Sequence, residues 1–119
     1  MALEEAPIRI RRSDGVIHVD LLEPKLIDDI TIGQIREKLS GLIDAEARPR
    51  LIVSFAGVDR LSSMALGALI AVHNKMSEKK GQLRLVGIAP RVHDIFLQSG
   101  LTALFEIHET TEQAIASMS

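Results

Sequence analysis

The sequence predicts an α/β domain: one mixed central β-sheet of about five strands packed with about four helices. Three observations carry that expectation. The first strands alternate apolar with polar residues. Arg50-Leu-Ile-Val-Ser-Phe55 is a short, nearly continuous apolar run with β-branched residues, the mark of a strand buried on both faces. Beyond it, short apolar runs alternate with stretches whose apolar residues recur at helical intervals. A chain of 119 residues has room for one core. It is read as a single domain over 1–119, with 1–6 as a flexible N-terminal segment.

The elements follow in order. Ile8-Arg-Ile-Arg-Arg12 and Val16-Ile-His-Val-Asp-Leu21 flank the turn-forming Ser13-Asp14-Gly15 and predict a hairpin. Pro24 then interrupts regular pairing. Thr31 and Gln34 have capping-box spacing, and Ile35, Leu39, Leu42 and Ile43 place a helix over about Thr31 to Ala45. Asp28-Asp29 precede it, where negative charge suits a helix N-terminus. After the strand at 50–55, a helix starts near Ser63 with Leu66, Leu69, Ile70, His73 and Met76 as its stripe, stopping near Gly81. Gln82–Val86 reads as a strand and Pro90 opens a helix with Val92, Ile95, Phe96 and Ser99 inward, ended by Gly100. A last strand is expected at Leu104–Ile107. Thr110 and Gln113 repeat the capping-box spacing before a terminal helix. Strands joined through helices should run parallel, and the opening hairpin antiparallel.

Several function classes lose their anchors. The net charge of -2 and the absence of Trp and Tyr give neither an electrostatic footprint nor a stacking platform for direct contact with nucleic acid. Without cysteine there are no disulfides, no thiolate chemistry and no Cys-based zinc site. There is no G-x-G-x-x-G, Walker or G-x-S-x-G sequence. His18, His73, His93 and His108 fall on four different elements without metal-ligand spacing, and surface or satisfied-core roles suit them better. No cofactor or metal is called for. The acidic N-terminus has no apolar signal core, and Met64–Val72 is too short to span a bilayer. The expectation is a cytoplasmic protein without membrane contact, and nothing demands an oligomer.

What remains is the pair Ser62-Ser63, where a buried strand and short connector give way to a strongly apolar helix. One reading is a cap: Ser62 accepts a bond from a backbone N–H and does no more. A second serine that capping does not need leaves another reading open. A phosphate on Ser63 would sit among unpaired N–H groups and add nearly two negative charges to the surface without breaking the fold. A third, with Ser63 as a hydrolytic nucleophile, requires a base within hydrogen-bond reach.

Leu51-Ile-Val-Ser-Phe-Ala-Gly-Val-Asp-Arg-Leu-Ser-Ser-Met-Ala-Leu-Gly-Ala-Leu-Ile70 resembles the centre of the STAS domains, particularly bacterial anti-sigma factor antagonists. Gly81-Gln-Leu-Arg-Leu-Val-Gly-Ile-Ala-Pro90, Phe96-Leu-Gln-Ser-Gly-Leu101, the opening hairpin and Leu26-Ile-Asp28 extend the resemblance over nearly the whole chain. In that family the central motif runs Asp-Ser-(Ser or Thr)-Gly-Leu-Gly, and its first serine is phosphorylated by a partner kinase. On this chain Ser62 takes the Asp position and Ser63 the phosphoacceptor position. Met64 and Ala65 replace the next two residues, while Leu66 and Gly67 are retained.

The resemblance implies a non-enzymatic partner switch with Asp28, Ser62, Ser63, Met64, Leu66 and Gly67 at the partner-binding face. The implied partner is an anti-sigma factor that is also a serine kinase, bound while Ser63 is unphosphorylated and released when it is phosphorylated. A phosphatase of the PP2C type fits the resetting step. The rival implied by the same fold is a scaffold or adaptor module that is not phosphorylated.

Overall fold

The structure is a computed structural model that describes residues 6–118. The expectation of a flexible segment at 1–6 therefore falls, except for Ala6, outside the described residues. Strands β1 (Ile8–Ser13) and β2 (Val16–Leu21) form the antiparallel hairpin, with Ile8 opposite Leu21 and Ser13 opposite Val16. Asp14 and Gly15 both take positive φ, 54° and 79°, as a tight two-residue hairpin turn requires.

Strand β3 (Lys25–Leu26) leads into helix α1 (Asp29–Asp44), and β4 (Arg50–Ser54) runs back beneath it. Strand β5 (Arg60–Leu61) leads into α2 (Ser63–Glu78), followed by β6 (Gln82–Val86) and α3 (Pro90–Gln98). A short 3-10 turn at Leu101–Ala103, β7 (Ile107–His108) and α4 (Thr111–Ala116) complete the described chain.

The main sheet has five strands in the order β1-β2-β4-β6-β7, all parallel after the first pair. Alternation assigns its two faces. Ile17, Val19, Leu51, Val53, Leu83 and Leu85 join buried residues of α1, α2 and α3 in one large core. Val16, Ile52 and Val86 face the other way and meet Ala114 and Met118. Phe55 and Phe96 meet edge-to-face with ring centres 6.1 Å apart, and Phe105 continues the stack at 5.9 Å from Phe96.

Several details differ from the sequence reading. The Thr31–Gln34 capping box is not formed, because Asp28 is the cap and Thr31 lies one turn inside α1. The buried stripe of α2 is Ala65, Leu69, Val72 and Met76, with Leu66 and Ile70 only partly buried. That helix is apolar on more than one side. It packs on α1, and His73 meets the Phe105 ring edge-on at 5.5 Å. The last strand begins only at Ile107, since Leu101–Ala103 winds into the 3-10 turn and places Phe105 in the core. The capping box at Thr110 and Gln113 forms in full.

Candidate functional site

Two elements too short to show a sequence period build the site. β3 and β5 pair in parallel, Lys25 with Arg60 and Leu26 with Leu61. Carbonyl oxygen of Pro24 accepts the N–H groups of Asp59 and Arg60, at 2.7 and 3.1 Å, and Leu26 O accepts Ser62 N–H at 3.0 Å. This ladder holds the starts of α1 and α2 side by side. Asp28 follows Leu26 by the same two positions by which Ser63 follows Leu61.

Both helices are capped by side chains. Asp28 Oδ2 accepts the Thr31 N–H at 2.8 Å, and Ser62 Oγ accepts the Ala65 N–H at 3.2 Å. Bonds from the Thr31 N–H and then from its hydroxyl hold the Asp28 carboxyl below its ordinary range. Ser62 is thus occupied as a cap. Ser63, the first residue of α2, is exposed, and among the described residues its hydroxyl makes no hydrogen bond. A hydrolytic serine needs a base within reach, and no histidine bonds to Ser63. His108 Nε2 lies 2.9 Å from Glu106 instead, on β7. No group of three or more His, Cys, Asp or Glu is placed to hold a metal among the described residues.

Beside Ser63 runs an open groove between the two helices. Asp29, Gly33 and Arg36 line it from α1, and Ser63, Met64, Gly67, Ala68 and Ala71 from α2. Of the candidate residues, Ser63, Met64 and Gly67 share this groove, while Asp28 and Ser62 hold the adjacent helix starts. Leu66 does not join them; it packs against the core. Sequence reasoning passed over Ile27 and Ile30, which are 51% and 69% exposed, and which with Met64 at 49% give the α1–α2 start an apolar rim. The available signal was that Ile30 lies off the Ile32-Ile35-Leu39-Ile43 stripe of α1. Arg36 was passed over as well.

Residues 7–114 match the STAS domain family, and the chain belongs to it. Among its relatives is a candidate anti-sigma factor antagonist of Bordetella bronchiseptica, BtrV, 24% identical over 92 residues that cover 77% of this chain and 78% of BtrV. An anti-sigma factor antagonist domain protein from Planctomyces limnophilus has the same fold, with a TM-score of 0.82 at 14% identity over 93% of this chain and 97% of that one. The anti-sigma factor antagonist SpoIIAA in its unphosphorylated form aligns with a TM-score of 0.77 at 22% identity, covering 93% and 95% of the two chains. The phosphorylated form of SpoIIAA, from Bacillus, aligns at 0.69 and 22% identity over 94% and 99%. No helix among the described residues is long and apolar enough to cross a membrane.

Proposed function

We propose that this STAS domain is a cytoplasmic anti-sigma factor antagonist that works by partner switching at Ser63. Unphosphorylated, it binds an anti-sigma factor that is also a serine kinase and so frees a sigma factor. That kinase, holding ATP and magnesium itself, transfers a phosphoryl group to the Ser63 hydroxyl. The complex then weakens, and a phosphatase of the PP2C type resets it. The domain contributes a binding surface and an acceptor, not catalysis.

The observation that carries this reading is the contrast between the two serines. Ser62 is engaged as the cap of α2, whereas Ser63 is exposed, free of hydrogen bonds among the described residues, and flanked by the apolar Met64. An acceptor hydroxyl near the exposed Ile30 and Met64 side chains lets one modification act on the contact. Adding nearly two charges there penalises docking unless the partner supplies cations. SpoIIAA, a structural neighbour known in phosphorylated and unphosphorylated forms, supports the same reading.

Incubation with the cognate kinase and ATP, followed by phosphopeptide mapping, tests it. The expected phosphate is on Ser63, absent from Ser63→Ala, and Ser63→Asp binds the kinase more weakly than wild type. Phosphate elsewhere, or equal kinase binding by Ser63→Asp and wild type, overturns it.

One observation favours a second reading, a fixed scaffold module that is not phosphorylated. Ser62, Met64 and Ala65 stand where the family motif carries an acid, a hydroxyl and a glycine. A scaffold would form a stoichiometric assembly whose size is unchanged by ATP.

A further inference from the structure

We propose that Arg36 is the internal partner of phosphorylated Ser63, and that their pairing closes the groove between α1 and α2. This rests on the reading that Ser63 carries the phosphate, and it adds how the phosphate acts within the domain.

Arg36 and Ser63 line the same groove from opposite helices. Arg36 lies two turns beyond Asp29, about 10 Å along α1, and helical side chains lean toward the N-terminus, so its guanidinium leans back toward the serine end. The surface between them is low. Gly33 and Gly67 have no heavy atom within 4 Å of where a Cβ would stand, and Ala68 and Ala71 add only methyl groups. The larger lining side chains, Ile32 and Met64, are respectively buried and half exposed.

Arg36 is also uncommitted. It is exposed and makes no ion pair or hydrogen bond among the described residues. Lys75, which faces the space between the helices farther along, is 3.0 Å from Asp44 and so is already engaged, and Lys38 of α1 does not line the groove. Asp29 is the other charged residue lining the groove and is negative, as is the exposed Asp28 at the adjacent helix start, while the cations Lys25 and Arg60 lie on the β3–β5 ladder outside that lining. A phosphate there meets repulsion from one end of the groove and an unpaired guanidinium at the other. It is drawn over the glycine floor toward Arg36, whose planar fork suits two phosphate oxygens. Groove residues offered to a partner in the unphosphorylated domain are then covered. Phosphorylation removes a surface as well as adding charge.

The test uses the chain with phosphoserine encoded at position 63, which needs no kinase and so separates this proposal from the identity of the phosphorylating enzyme. The phosphate is titrated by its phosphorus NMR shift in wild type, Arg36→Ala and Arg36→Lys, with amide spectra confirming that each is folded. A neighbouring cation favours the dianion, so the second phosphate pKa in wild type should lie at least about half a pH unit below that in Arg36→Ala, with Arg36→Lys between them. The amides of Gly33 and Gly67 should shift on phosphorylation in wild type and much less in Arg36→Ala. Coincident titration curves for wild type and Arg36→Ala overturn the proposal, whatever a kinase later does at Ser63. If the curves differ as stated but no kinase modifies Ser63, the pairing stands and the switching reading fails.

Discussion

Ser62 stands to α2 as Asp28 stands to α1: each follows a two-residue parallel strand, and each side chain accepts the N–H three residues on, Ala65 at 3.2 Å and Thr31 at 2.8 Å. The neighbouring serines therefore have separable roles. Ser62→Ala removes a cap and should cost about 1 kcal/mol of stability. Ser63→Ala removes an exposed hydroxyl with no bond to break and should stay within about 0.5 kcal/mol of wild type. Urea unfolding of the two variants checks this, and equal losses would show that the serines share the capping role.

Acid should weaken the fold through Asp28 with a defined sign. The Thr31 bonds lower its folded pKa below the ordinary 3.8, so the unfolded chain takes up the proton first as pH falls. The stabilisation is full above about pH 4 and disappears as pH drops through the lowered folded value. Asp28→Asn keeps a capping oxygen but has no proton to take. Its melting temperature should fall less steeply below pH 4 than that of wild type.

His18 should act in a higher window. It is buried on β2 with Nε2 unpartnered among the described residues; burial first, and then the Arg11 charge, lower its pKa below 6.5 against the opposing pull of Asp20. The folded state thus favours the neutral ring. Its contribution is present above pH 6.5 and is lost as pH falls from there through the lowered folded value. Between pH 7 and pH 5 wild type should lose more thermal stability than His18→Gln. Parallel pH profiles would assign the loss to other groups.

The elements that the chain announces clearly are those with a repeating pattern or a single decisive turn. Asp14-Gly15 forms the hairpin turn, Pro90 opens α3, and Thr110 with Gln113 closes the capping box of α4. The cap of α2 is legible too, because a helix start needs one hydroxyl acceptor and Ser62 supplies it to the Ala65 N–H. β3 and β5 were not legible: two residues contain no period, and their pairing depends on where α1 and α2 come to rest. For the same reason nothing in the sequence pattern singles out Arg36. Its relation to Ser63 is set by helix packing, which local spacing does not encode.

The apolar rim should matter to binding and not to folding. Ile30 and Met64 are 69% and 49% exposed, so a polar replacement forfeits little buried area. If the proposed contact is right, Ile30→Asp with Met64→Asp should weaken the complex with the anti-sigma factor at least about tenfold, because both introduce charge where docking would exclude water. The melting temperature should change by only a few degrees. Calorimetric titration and thermal melts read the two effects, and unchanged affinity would place the contact elsewhere on the domain.

Glycine substitutions can separate the groove from the fold. A Cβ at Gly81 would lie 2.5 Å from the Pro49 carbonyl oxygen, so Gly81→Ala must displace backbone and should destabilise by about 1–3 kcal/mol. Gly67 and Gly41 are helical and have open space around a Cβ, so alanine at either should stabilise by up to about 1 kcal/mol. Of these two, Gly67 lines the groove beside Ser63 and Gly41 does not. Gly67→Ala should therefore raise stability while lowering partner affinity, because its methyl occupies space that a docking surface would fill. Gly41→Ala should give the stability gain alone. If Gly67→Ala binds as tightly as wild type, the groove is not where the unphosphorylated partner docks, and covering it with a phosphate cannot be how the complex is released.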